Sequence, residues 1–250
     1  DPRQLLVIAG SHFSPHYRRA LSRYRYGAAA FKVDWALSEP IPWRAPACRD
    51  AACVHLGGTL DDVTASEAAV AAGALPEKLF VLVAQPTLVD PERAPAGRHV
   101  AWAYAHVPNA CAVDVTDDIE ARIDEFAPGF RDVILARASM SPAAIERHNP
   151  NCAGGHIVGG QPDARQLLFR PTARPVPYAT PDPAIFLCSS STPPGAGVHG
   201  MCGFHAAHVA LSRRFGIRPR DAADHDAADE HSDDEDGDER DITRSMGLSL

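Results

Sequence analysis

What this 250-residue sequence lacks narrows its class before any motif is read. No apolar run approaches the roughly 18 residues of a membrane-spanning helix, and the opening DPRQLLVIAGSHFSPHYRR lacks the basic, long apolar and small-residue order of a secretory signal. A soluble, intracellular protein is therefore expected, cytoplasmic, or in the mitochondrial matrix if the chain is eukaryotic. No CxxC pair occurs among the six cysteines, and a chain of this length needs no disulfide staples, so a reducing compartment fits. No feature calls for a nucleic-acid partner. The chain also opens without a methionine, and Leu5 to Ala9 reads as an element already under way, so sequence upstream of Asp1 is expected.

Charge is present but unevenly spread. Between Asp221 and Asp241 twelve acidic residues face the single Arg240, a net −11, so that the formal −8 of the whole leaves +3 for the remainder. So acidic a stretch, with almost no apolar residues, cannot bury enough surface to offset the entropy of ordering it. Residues 218–250 are expected to be a disordered acidic tail that aids solubility, with His225 and His231 offering a metal-collecting or interaction role as the other reading. The remaining chain, 45% hydrophobic overall, can build a packed core.

Phe31, Val33, Trp35 and Leu37 alternate with Lys32, Asp34 and Ala36, the period of two of a half-buried strand. Residues 53–56, 79–84 and 99–106 are further strands, and Ala-rich 64–74 is a helix. Asp117 and Glu120 resemble a capping box ahead of Ile119, Ile123 and Phe126 on one helical face. After Pro128-Gly129 a second helix is expected, with Phe130, Val133, Ile134 and Arg137 in register. Glu120, Asp124 and Glu125 read as a solvated face.

Three segments are candidates for chemistry. Cys48 and Cys53 have the CxxxxC spacing of a flavin-linked redox disulfide, but their Pro/Arg-rich context does not establish the helix N-terminus or basic partner that activates a thiol. NPNCAGGHIVGG, with four glycines in two pairs, is a tightly turning loop or a ligand contact. Residues 184–215 run from apolar AIFLC through SSSTPPGAGVHG into amphipathic MCGFHAAHVALSRRF, placing GxGxxG at Gly195, Gly197 and Gly200 between a strand-like and a helix-like segment. Glycines there would let backbone N–H groups and a helix N-terminus meet a pyrophosphate. Met201, Phe204, His208, Leu211 and Phe215 share a helical stripe expected to face the core. Cys202, His205 and His208 suggest a metal site, but the helix supplies no fourth ligand, which favours packing. A self-contained NAD-binding fold would need an acidic residue about 20 positions onward at a strand end. Asp221 has the distance without the strand.

The segments YRYGAAAFKVDWAL (24–37), 81–108, RIDEFAPGFRDVILAR (122–137), NPNCAGGHIVGG and IFLCSSSTPPGAGVHGMCGFHAA resemble the C-terminal half of phytoene dehydrogenase-like FAD-dependent oxidoreductases. The resemblance runs over about residues 20–212, and STPPGAGVHGMCG is its most specific part. It implies an α/β protein: an α+β substrate domain over residues 1–150, then a return over 151–217 that adds the C-terminal strand-loop-helix of a Rossmann-like FAD/NAD(P)-binding domain. The family's N-terminal dinucleotide-binding half is not in this chain, so an incomplete fold is expected. Ile185 to Ser189 would join the parallel sheet of the FAD domain. Ser190, Ser191, Thr192, Gly195, Gly197, Val198, His199, Gly200 and Met201 would contact FAD.

The implied activity is hydride transfer between flavin and an apolar substrate, such as a polyene or another lipid, with peripheral membrane contact. Two positions depart from the family pattern. Ser190 or Ser191 stands where related flavoproteins carry a ribityl-binding carboxylate, and His156 replaces the aspartate of GGDI. No catalytic acid or base is assigned; His199, His205 and Tyr178 lie in or near the flavin segment, where packing roles also suit them. A non-catalytic interaction or regulatory protein, derived from a truncated flavoprotein and using its acidic tail, is the alternative.

Overall fold

The structure, a computed structural model, describes residues 1–217. The expected acidic tail, with His225, His231 and Asp221, lies outside the described residues. The elements in chain order are α1 (Pro2–Ala9), α2 (Pro15–Ser22), β1 (Ala29–Leu37), α3 (Pro46–Arg49), β2 (Cys53–Leu56), α4 (Leu60–Ala71), β3 (Val81–Ala84), β4 (His99–Val107), α5 (Thr116–Phe126), β5 (Ile134–Met140), α6 (Pro142–His148), α7 (Ala164–Leu168) and α8 (Met201–Phe215). The five strands form one sheet in the order β2-β3-β4-β1-β5, every pair antiparallel.

Alternation builds the main core. Phe31, Val33, Trp35 and Leu37 project from β1 to one face, and β4 sets Ala105, Ala103, Ala101 and His99 opposite them. Large side chains thus face small ones across the ladder, and the β4 alanines are buried together with Val81 and Val83 of β3. Helix α5 closes this face with Ile119 and Ile123, both fully buried beside Phe130. The opposite face of the sheet carries Lys32, Tyr104 and His106.

Three expectations fail in and just after α5. Its N-cap is Val115, and no Asp117 capping box forms; the Asp114 carboxylate accepts the Thr116 N–H over 2.9 Å instead. Glu120 is not on a solvated face but 1% exposed, accepting from Trp35 Nε1 at 2.9 Å and pairing with Arg137 at 3.2 Å. The segment expected as a second helix is a short 3-10 turn, Phe130–Val133, followed by strand β5. The reason is lateral pairing: β1 lies inside the sheet, and β5 supplies the second partner its backbone needs over Lys32–Leu37.

A smaller core gathers Leu5, Ala9, Phe13, Tyr17 and Leu21 of the N-terminal helical region with Leu187. Asp1 and Ser14 cap α1 and α2, and a proline opens each helix. The element read at Leu5 to Ala9 is the body of α1. Ile185 to Ser189 forms no strand: its ladder contact is an isolated antiparallel bridge, Ala179↔Phe186, because no strand among the described residues lies alongside it. The stripe expected to bury α8 is also reversed. Cys202 and Ala206 are buried, whereas Met201, Phe204 and Phe215 are exposed.

Candidate functional site

Two glycine-bearing loops meet beyond the N-terminal end of β1. In the first, Gly159 and Gly160 have positive φ, 75° and 143°, and an added Cβ would overlap the Ser190 hydroxyl at Gly159 or the Tyr24 hydroxyl at Gly160. Only glycine suits both the backbone and the space. His156, 2% exposed, holds this loop from inside. Its Nδ1 lies 2.6 Å from the Ala28 carbonyl, and its Nε2 accepts the Gly160 N–H at 2.9 Å. The ring therefore donates at Nδ1 and accepts at Nε2, a combination a carboxylate cannot offer. His156 thus has a structural role, fixing the loop to the start of β1.

The second loop runs from Ser189 to Gly200. Ser191 and Thr192 are buried, and their hydroxyls are committed within the protein: Ser191 donates to the Gly159 carbonyl at 2.7 Å and Thr192 to the Ser189 carbonyl at 2.7 Å. Ser190 stands half-buried against Gly159 and makes no side-chain hydrogen bond among the described residues. Gly195 is buried, and its carbonyl lies 3.3 Å from Cys202 Sγ. Gly197, Val198, His199 and Gly200 are exposed, as is Met201. Gly200 is the N-cap of α8 and offers no side chain, while His199 Nδ1 accepts the Met201 N–H at 3.0 Å. The remaining first-turn N–H groups have no capping side chain among the described residues, leaving positive helix-end dipole at the surface.

Beneath this turn lies a residue that the sequence did not mark. Arg170 is 6% exposed, and its guanidinium Nη1 would stand 2.7 Å from a Cβ on Gly195. Nη2 donates to the Tyr24 hydroxyl at 3.3 Å, Nε has no partner, and no carboxylate pairs with the group among the described residues. Thr172, also buried, has an unpartnered hydroxyl two positions on. Burying an unpaired charge is costly, so such a group points to a ligand of opposite sign. Arg170 lies in the stretch FRPTARP, where nothing in the pattern distinguishes the buried arginine from Arg174.

Of the three candidates near the second loop, Tyr178 and His205 come together. Tyr178 donates its hydroxyl to the Pro193 carbonyl at 3.0 Å, its ring lies 5.7 Å from that of His205, and burial pushes its phenol pKa up. His208 packs on Phe204 with ring centroids 4.0 Å apart. Cys48 and Cys53 are unbridged, Cys48 on α3 and Cys53 at the exposed start of β2.

The first loop also borders a cavity of about 700 Å³, walled by α4, the start of β1, the end of β4 and residues 156–158. His106, at the end of β4, faces it with Glu67 of α4, and His106 Nδ1 lies 2.8 Å from Glu67 Oε1. The alternation of HVAWAYAH sets His106 opposite to buried Ala105 and Val107; the pairing with Glu67, 39 residues away, has no sequence signal.

No protein-family model matches the chain. Over 161 residues it is 36% identical to pyridine nucleotide-disulfide oxidoreductase domain-containing protein 2 of Mus musculus, a match covering 56% of this chain and 26% of that protein. The protein of the same name from Rattus norvegicus is 35% identical over 161 residues, with the same coverage. The chain thus spans about a quarter of the length of these curated relatives. A crystal structure of an oxidoreductase from Methanosarcina mazei is 19% identical with a TM-score of 0.30, covering 56% of this chain and 29% of that one. Among the described residues, no helix is long and apolar enough to cross a membrane.

Proposed function

We propose that this chain is part of an FAD-dependent oxidoreductase of the phytoene dehydrogenase-like type, with residues 1–150 serving the substrate and 151–217 returning to complete the flavin site. The similarity to relatives named as oxidoreductases supports the reaction class. The observation that carries the cofactor reading is Arg170, a buried cation without a counter-charge among the described residues, set directly under Gly195 in a turn that leads to an open helix start. These features suit the diphosphate of a dinucleotide: a guanidinium for charge, a glycine for close approach, and free N–H groups for its oxygens.

In this reading Arg170 and the backbone of Gly195, Gly197, Val198, His199, Gly200 and Met201 hold the diphosphate side of FAD. Ser190 offers the free hydroxyl to the ribityl chain, and Ser191 and Thr192 fix the loop that presents it. Bound FAD supplies a hydride acceptor, while this chain orients the substrate, an apolar molecule, and keeps water from it. Gly195→Val tests the assignment. At φ 109°, with Arg170 Nη1 2.7 Å from its Cβ, valine closes the cradle. The variant of the full-length protein should lose flavin absorbance after reconstitution with FAD while keeping the sheet's circular dichroism; retained stoichiometric flavin would overturn the reading.

A further inference from the structure

The cavity beside the first glycine loop contains an ionisable pair that the flavin reading leaves unused. Its walls are mainly apolar, including Ala29, Val70, Ile157 and Val158, and its volume of about 700 Å³ is that of a site for a substrate-sized molecule. His106 and Glu67 stand at this wall with side chains 32% and 42% exposed, so the pair is accessible. Glu67 Oε1 lies 2.8 Å from His106 Nδ1, which places the proton on Nδ1. Nε2 is left with a free lone pair and no hydrogen-bond partner among the described residues. A carboxylate that orients a histidine in this way prepares the other nitrogen to accept a proton.

The remaining lining identifies the ligand's polar end. Among the described residues neither arginine nor lysine borders the cavity, so a ligand carboxylate would meet Glu67 with no such cation to offset it. The Asn109 amide is turned inward, donating to the Gly27 and Ala153 carbonyls at 3.0 and 3.1 Å. An ammonium would lose its hydration against mainly apolar walls, so a neutral hydrogen-bond donor on an apolar body is what His106 Nε2 can receive. Residues 156–158 line this cavity, and Gly159, next in the same loop, packs on Ser190 and accepts from Ser191. The cavity and the proposed flavin turn are therefore built on one loop.

We propose that this cavity binds an apolar alcohol whose hydroxyl donates to His106 Nε2, and that His106 takes the hydroxyl proton when the alcohol is oxidised. The oxidation step, though not the binding, rests on the flavin reading above. The carbinol C–H bond breaks with its electron pair leaving as hydride to flavin, the O–H proton passes to Nε2, and the product is a carbonyl compound. Glu67 stabilises the imidazolium that forms.

Decanol, decanoate and decylamine are the probes, titrated calorimetrically into the full-length protein without added FAD. Decanol should bind, decanoate and decylamine should bind more weakly, and His106→Leu should weaken decanol binding roughly tenfold with unchanged circular dichroism. The His106 Nε2 nitrogen resonance should move on decanol addition, and Glu67→Gln should reduce that movement. Tighter binding of decanoate or decylamine, or decanol binding indifferent to His106→Leu, overturns the proposal. In the FAD-loaded protein, decanol should bleach the flavin, and His106→Leu should slow bleaching roughly a hundredfold or more. Bleaching insensitive to His106→Leu overturns the proton-acceptor role. A protein that binds decanol through His106 but never takes up FAD refutes the flavin reading and leaves the binding site standing.

Discussion

Ser191 donates its hydroxyl to the Gly159 carbonyl over 2.7 Å, and the same oxygen accepts the Tyr24 hydroxyl at 2.7 Å. Both loops of the candidate site are thus tied to one backbone atom, and through Tyr24 to Arg170. The bond also separates two serines that sequence alone leaves equivalent. Ser191 holds the loop, and the Ser190 hydroxyl has no hydrogen-bond partner among the described residues.

The two serines should therefore respond differently. Ser191→Ala should lower unfolding stability by about 1 kcal/mol, the net contribution of a buried hydrogen bond, and Ser190→Ala should leave stability unchanged while weakening FAD binding. Urea unfolding and FAD titration of both variants check the division; equal stability losses would contradict it.

His156→Asp should destabilise the protein by about 2–3 kcal/mol. A carboxylate can accept the Gly160 N–H but would set an oxygen against the Ala28 carbonyl, where the imidazole now donates. His156→Gln, which can both donate and accept, should recover part of the loss. Denaturant midpoints of the three proteins measure this, and an Asp variant as stable as the parent would refute the donor role.

Glu120→Ala should cost about 2–3 kcal/mol, since it leaves the buried Trp35 N–H without an acceptor and removes the partner of Arg137. Glu120→Gln keeps an acceptor and should cost less. The order of the two variants in thermal unfolding is the check.

Acid should loosen the start of α4. Thr59 and Asp62 form a capping box, and the Thr59 backbone N–H, then its hydroxyl and Lys78, hold the Asp62 carboxyl below the usual carboxylate range. A depressed folded-state pKa stabilises the protein above the unfolded carboxylate pKa, and that stabilisation is lost as pH falls through the folded value. Asp62→Asn should flatten the acid limb of a stability-pH profile; an unaltered limb would argue against the box.

The legible parts of the fold were those set by a local period. Phe31 to Leu37 and Val100 to Val107 alternate because one face of a sheet is buried, and the strands lie there. Phe130 to Arg137 also has a helical spacing, but the unpaired side of β1 decides for a strand. On α8 the larger apolar stripe suggested a core face, yet the small side, Cys202 and Ala206, is the buried one; Cys202 packs against Thr192 and Gly195. The glycine turn was legible from its residues. Arg170 beneath it and Glu67 beside His106 were not, since each acquires its role from a neighbour far away in the chain.

The most direct test of the cofactor account is Arg170→Met in the full-length protein, read by FAD affinity and by melting temperature without FAD. Replacing a buried charge that has no counter-ion among the described residues should leave the FAD-free protein as stable or make it more so, while FAD affinity falls roughly tenfold or more with the loss of a charge-assisted contact. Wild-type affinity for FAD in this variant would contradict the account.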